Sequence, residues 1–315
     1  MKVLITGANG FMGRHLIKSL VSRGHFVVGL DLQKKPLITR ALAKGEDERS
    51  SSTKDVSKYF SGDVLDKDIV EKAMEGIEVV VHLADALIGH QTELSDEKAM
   101  ENNFLGTKNI LNAFLKEKSA RKIIYSSSGK VYGDIKFLPI TEEHPTLPLS
   151  PYGKSKLIVE RLIDFYANNE KLFVIFRIFN VFGPGQKDSF LLPTILNQLK
   201  QSQKIVLRNI AAKRDYVYLD DVISAFVLAI EKEIEPGLSV FNICSGKDAS
   251  AKEIVSKVSQ LKKTPVEIEV DRTRLRKDEK DVECGSFEKA KKILDWSPKY
   301  SLRQGLEETI KSINN

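Results

Sequence analysis

The 315-residue chain predicts an α/β protein, a doubly wound parallel sheet with a smaller mixed C-terminal region. Three observations lead there. Short apolar runs rich in β-branched residues alternate with helix-length segments through the first half. The first run opens directly into a glycine-rich turn, Gly7-Ala8-Asn9-Gly10-Phe11-Met12-Gly13. Past residue 180 the loops lengthen around Pro184, Pro193, Pro236, Pro265 and Pro298. Near-continuous apolar strands fit a sheet covered by helices on both faces, where parallel sheets are found.

In order, residues 2–6 read as a strand, 14–22 as a helix and 25–31 as a second strand. Residues 64–74 look helical, and 79–84 form a third, β-branched run. A strong helix is expected over 103–118, with Ile110, Leu111, Phe114 and Leu115 on its apolar face. A strand at 122–126 precedes a helix at 152–168, announced by Ser150-Pro151, and a strand follows at 172–177. Helix-like 220–231 and strand-like 239–244 return to the sheet. The expected division is therefore a Rossmann-type dinucleotide-binding domain over 1–179, with 217–245 rejoining it, and a substrate domain over 180–315. Residues 43–58, with Ser50-Ser51-Ser52-Thr53 among charged neighbours, read as a mobile, solvated surface loop.

Composition narrows the function classes. There are 49 Lys and Arg against 43 Asp and Glu, a net charge of +6. The excess sits in 33–62 and 262–303, where both signs are mixed, which argues against a nucleic-acid stripe. No apolar run is long enough to cross a membrane, and Met1-Lys2 leads straight into a strand rather than an export signal. Cys244 and Cys284 lie far apart without metal-ligand spacing. Two reduced thiols in a cytosolic protein, with no metal, are expected.

The glycines at 7, 10 and 13 let the backbone turn tightly, approach a ligand and present a helix N-terminus to a pyrophosphate. Their spacing is GxxGxxG. The second strand ends in Asp31, followed by Leu32. A carboxylate there suits the two adenosine ribose hydroxyls and repels a 2′-phosphate, which favours NAD over NADP. Lys34 and Lys35 soften that preference. Asp63, in Gly62-Asp63-Val64, either faces the adenine or caps a helix.

At the chemical end, Tyr152 and Lys156 are four apart on one face of the expected helix. A lysine ammonium lowers the cost of a tyrosinate, as would a cationic nicotinamide, so Tyr152 is the candidate acid/base. Ser126-Ser127-Ser128 ends the preceding strand, on the side of the sheet where doubly wound proteins bind ligands. A hydroxyl at that end can polarise a substrate oxygen beside Tyr152.

TGANGFMG, SSSGKVYG, SPYGKSK, RIFNVFGPG, RDYVYLDDV and FNICSG occur in this order. Together they resemble the extended short-chain dehydrogenase/reductases, specifically the NAD-dependent nucleotide-sugar epimerase/dehydratase branch. The likeness runs to Leu294-Asp295-Trp296-Ser297-Pro298. It implies Ser128, Tyr152 and Lys156 as catalytic residues. It also implies a cofactor site that includes Asn9, Leu83, Ala84, Asn103 and Ser126 besides the glycine turn, and a homodimer through helices 103–118 and 152–168. Asn180 and Arg214 would sit at the nucleotide-sugar diphosphate. Arg276, in the degraded stretch 272–276, is either a second diphosphate arginine or a solvated side chain.

Two departures matter. Dehydratases of this branch carry Asp-Glu right after the catalytic hydroxyl residue, where this chain has Gly129-Lys130. The usual HLAA is here His82-Leu83-Ala84-Asp85, and Asp85 either turns to solvent or touches the sugar or His90. The expected activity is C4 epimerisation of a nucleotide sugar through a transient 4-keto sugar. The alternatives are an NAD(P)H-dependent 4-keto sugar reductase and a non-catalytic dinucleotide-binding protein.

Overall fold

The computed structural model describes residues 1–37, 56–86, 95–207, 209–271 and 282–314. Its main sheet has seven strands in the order β10-β6-β5-β4-β1-β2-β3, all parallel. They are β1 (Lys2–Thr6), β2 (Phe26–Asp31), β3 (Lys58–Ser61), β4 (Val79–His82), β5 (Lys122–Ser128), β6 (Leu172–Ile178) and β10 (Gly237–Ile243). The order reverses between β1 and β4, and the crevice at their carboxyl ends is where such sheets bind ligands.

Helices cover both faces. One carries α1 (Phe11–Ser22) and α6 (Leu219–Glu231), whose Leu16, Leu20, Val222 and Phe226 pack with Val3, Ile5, Val79 and Val81. The other carries α2 (Lys67–Met74), α3 (Asp96–Lys116) and α4 (Pro151–Tyr166), with Met74, Phe114 and Ile163 against Leu4, Val80 and Ile123. Each such side chain contributes about 1.5–3 kcal/mol on burial. β4 and β5 are buried along their whole length; β4 reads as an apolar run up to His82, while β5 ends in the three buried serines 126–128.

Beyond β6 the chain forms β7 (Asn180–Phe182), α5 (Leu191–Gln201), β8 (Lys204–Leu207) and β9 (Lys213–Tyr218). After β10 come β11 (Asp248–Ser250), α7 (Ala251–Lys262), β12 (Glu267–Val270), α8 (Glu288–Leu294) and α9 (Leu302–Asn314). β11-β9-β7 make a small sheet and β12-β8 a parallel pair. A separate core of Leu192, Ile195, Ile254, Val258 and Leu306 holds this region together.

Several boundaries differ from the sequence reading. The helix expected from residue 64 starts at Lys67, because Asp66 caps it by accepting from the N–H groups of Asp68 and Ile69. Asp63 is not that cap; its Oδ1 accepts from the Leu65 N–H in a local turn. The helix expected from 103 begins at Asp96, with Ser95 as its cap. Its first two turns carry charge on several faces, so the apolar period becomes visible only later. Of the loop expected over 43–58, Lys58 belongs to β3 and residues 43–55 lie outside the described part. Among the described residues no helix is long and apolar enough to cross a membrane.

Candidate active site

The glycine turn joins β1 to α1. Gly7 has φ +67°, and a Cβ on it would lie 2.8 Å from the Ala84 nitrogen. A Cβ on Gly13 would lie 2.3 Å from the Gly7 carbonyl oxygen. Both glycines are thus required by close backbone approach. The Gly10 N–H donates to the Gly7 oxygen at 2.9 Å. Among the described residues no side chain caps α1, which leaves the N–H groups of its first turn, at Phe11 and Met12, for an anion.

Asp31 closes β2 beside this turn. Its Oδ2 accepts from the Asn9 N–H at 2.9 Å and its Oδ1 from the Gln33 N–H. A carboxylate keeps further acceptor positions after two such bonds. The Asn9 side chain serves the protein itself: its amide donates to Tyr59 and to the Lys35 carbonyl, and its Oδ1 accepts from Leu37 N–H. Leu32 is exposed next to Asp31. Val64 packs against Gly106 of α3. This cradle of bare backbone, uncapped helix and terminal acid fits a dinucleotide.

The loop after β4 forms the far wall. The Leu83 and Ala84 N–H groups donate to the Thr6 carbonyl and hydroxyl. Asn103, on α3, grips the same loop through both amide atoms: Oδ1 accepts from Ala86 N–H at 2.6 Å, and Nδ2 donates to the Ala86 oxygen. Behind it His82 is fully buried between Thr6 and Thr107. Thr107 donates to the Asn103 carbonyl, so His82 Nε2 carries the hydrogen and Nδ1 accepts from Thr6. Burial, reinforced by Lys156, pushes this imidazole down to about 3.

Ser128 ends β5 and Tyr152 opens α4, with Ser150 capping that helix and Pro151 in its first turn. The structure brings the three expected residues together. Ser128 stands close enough to favour the ionised form of Tyr152, and the Lys156 ammonium lies 5.7 Å from the Tyr152 ring centroid. Lys156 donates to the Ser126 carbonyl at 2.9 Å and also faces Tyr125. Lys156 does favour the tyrosinate, but burial outweighs it, and the net direction for Tyr152 is upward. Asp85 adds to that rise. It neither turns to solvent nor stands alone; it pairs with Lys156 at 3.2 Å. His90 and Arg276 lie outside the described residues.

Towards the C-terminal region, Asn180 donates to the Asp215 carbonyl and lines an open cleft with Phe190, Leu191, Tyr216 and Leu302. Asp215 is buried and accepts from the Ser245 hydroxyl and from Ser245, Gly246 and Gly285 N–H groups, which anchors the strand bearing Arg214. Burial nevertheless raises its carboxyl to about 6. Sequence reasoning missed Glu283, whose carboxylate meets Lys130 at 2.7 Å and approaches Arg214 at 3.7 Å. No motif marks it. A Cβ on Gly129 would touch the Phe179 ring at 3.3 Å, and with Lys130 next neither position after Ser128 carries a carboxylate.

A dinucleotide cradle facing a Ser/Tyr/Lys cluster across one crevice puts the protein in the short-chain dehydrogenase/reductase class. The family model described as GDP-mannose 4,6 dehydratase matches residues 4–309. The chain belongs to that family, within the NAD-dependent nucleotide-sugar epimerases and dehydratases of the extended branch. A UDP-glucose 4-epimerase of Halalkalibacterium halodurans is 30% identical over 322 residues, covering 95% of this chain and 91% of its own. A GDP-6-deoxy-D-mannose reductase of Pseudomonas aeruginosa is 31% identical over 238 residues, covering 73% and 78%. The UDP-glucuronic acid 4-epimerase of Bacillus cereus, solved with UDP-glucuronic acid and NAD, matches with TM-score 0.85 at 29% identity over 100% of this chain and 99% of its own.

Proposed function

We propose that the protein is an NAD-dependent nucleotide-sugar 4-epimerase. The observation that carries this reading is the Lys156 ammonium over the Tyr152 ring beside Ser128, with no carboxylate at 129 or 130 to expel water. Tyr152 takes the C4 hydroxyl proton and later returns it, Ser128 holds that oxygen, and Lys156 offsets the phenolate charge. NAD supplies the hydride acceptor and donor. Gly7, Gly10, Gly13 and the first turn of α1 hold its pyrophosphate. Asp31 holds the adenosine ribose, and its charge disfavours NADP. Asp63 and Val64 flank the adenine side, and Leu83, Ala84 and Asn103 the opposite wall. Asn180 and Arg214, with Arg276 as a further candidate, bind the nucleotide diphosphate, since a guanidinium suits phosphate oxygens. Anchoring at the diphosphate leaves the sugar free to turn.

The reading includes a cytosolic homodimer. Its support is apolar surface on α3 and α4: Leu105, Ile158 and Phe165 are exposed, the last at 83%. Ile158 and Phe165, seven apart, share one face of α4. The second reading, a 4-keto sugar reductase, draws support from the similarity to the P. aeruginosa reductase. One experiment separates them. Desalted protein is incubated with UDP-, GDP-, dTDP- and CDP-sugars and followed by NMR. Inversion at C4 without added reductant, by protein that retains NAD, is expected. A stoichiometric requirement for NADH or NADPH would overturn epimerisation.

A further inference from the structure

Asp85 is held with unusual firmness for a loop residue. Ala84 before it donates its N–H to the Thr6 hydroxyl, and Ala86 after it donates to and accepts from the Asn103 amide. Its carboxylate is 17% exposed, and the ammonium it meets at 3.2 Å is 5% exposed. Among the described residues that ammonium donates to the Ser126 carbonyl and is faced by side chains already placed. Asp85 comes from the β4 loop, His82 from β4, Tyr125 from β5 and Tyr152 from its own helix. His82 is neutral, and a tyrosine hydroxyl carries no charge until it ionises. Among these groups Asp85 therefore supplies the negative charge. The family's usual HLAA puts a methyl group at this point.

We propose that Asp85 is a positioning residue for proton transfer: it fixes the Lys156 ammonium and offsets part of its charge, so that Tyr152 holds its proton more tightly than beside an unpaired lysine. The inference rests on the reading of Tyr152 as the proton-transfer group. Two charges a few ångströms apart in a poorly solvated site interact strongly, and their combined field at a third group is weaker than that of either alone. An unpaired ammonium would stabilise the tyrosinate fully; a paired one stabilises it less. The Asp85 charge raises Tyr152, in keeping with this geometry. Substituting the side chain removes the offset but leaves the backbone ties to Thr6 and Asn103 in place.

The test is site-resolved titration of Tyr152 in the NAD-loaded enzyme, using Cζ-labelled tyrosine NMR with Tyr152→Phe to assign the signal. Asp85→Asn keeps the shape, and Asp85→Ala restores the residue of the family pattern. Both are expected to lower the Tyr152 midpoint by about half to one pH unit. The acid limb of kcat/KM moves the same way, and KM for the nucleotide sugar stays within about threefold. Asp85→Glu, which keeps the charge, leaves the midpoint near that of the parent. An unchanged midpoint in both neutral variants overturns the proposal. So does a large rise in KM without a titration shift, which would make Asp85 a sugar contact. If no nucleotide sugar is turned over but the midpoint moves, the proposed activity fails while the Asp85–Lys156–Tyr152 coupling stands.

Discussion

The Lys130 ammonium lies 2.7 Å from Glu283 Oε2, a contact between residues 153 apart in sequence. Arg214 approaches the same carboxylate. One acid thus draws together the cation that follows the Ser128 turn and the arginine proposed to bind diphosphate. A diphosphate arriving at Arg214 meets Glu283 as a competitor of like charge. Glu283→Gln is therefore expected to tighten binding of nucleoside diphosphates by about 3–10-fold, roughly 1 kcal/mol for a partly enclosed charge. Isothermal titration calorimetry reads this directly; weaker binding would instead mean that Glu283 orients Arg214.

Tyr152→Phe keeps the ring and removes the hydroxyl whose ionisation Ser128 and Lys156 favour. Fold and NAD retention should persist while turnover drops by about 10²–10⁴-fold. Absorbance of retained cofactor and NMR of sugar inversion measure the two separately. A variant as active as the parent would remove Tyr152 from the chemistry.

At Asp31, replacement by Asn leaves the shape but deletes the charge that receives the Asn9 and Gln33 N–H groups. NAD affinity is expected to fall by about 10–100-fold, the range of charge-assisted hydrogen bonds. Discrimination against NADP should shrink with it. Fluorescence titration with both dinucleotides checks the pair of effects.

Gly13→Ala sets a methyl group 2.3 Å from the Gly7 oxygen and 2.8 Å from the Ala8 oxygen. Neither backbone atom can swing aside as a flexible side chain would. A loss of about 1–3 kcal/mol in stability follows from such overpacking. Chemical denaturation with and without NAD should also show a weaker stabilising effect of the cofactor than in the parent.

Stability should depend on pH through His82. Its folded value is about 3 against an ordinary 6.5, so between those values the unfolded chain binds the additional proton. Stability is therefore lost as pH falls below about 6.5, approaching about 1.4 kcal/mol per unit, and the loss levels off near 3. Denaturation curves at pH 5 and pH 7 should diverge less in His82→Gln. Equal divergence in parent and variant would show that His82 does not govern this window.

The sequence alone determined six of the seven main-sheet strands, the glycine turn, Asp31 at the end of β2 and the pairing of Tyr152 with Lys156 on one helix face. Each is written within a few consecutive residues: an apolar run, a spacing that leaves no room for Cβ, a four-residue step. The start of α3 was less legible because Ser95 and charged Asp96, Glu97 and Lys98 mark a helix by its cap rather than by apolar period. Only the tertiary structure decided that Asp85 faces Lys156, that Glu283 lies between Lys130 and Arg214, and that Asn9 holds the loop after β2. These contacts join residues from separate turns of the fold. Their energy depends on burial and on which charges are left nearby, and no local pattern carries either quantity.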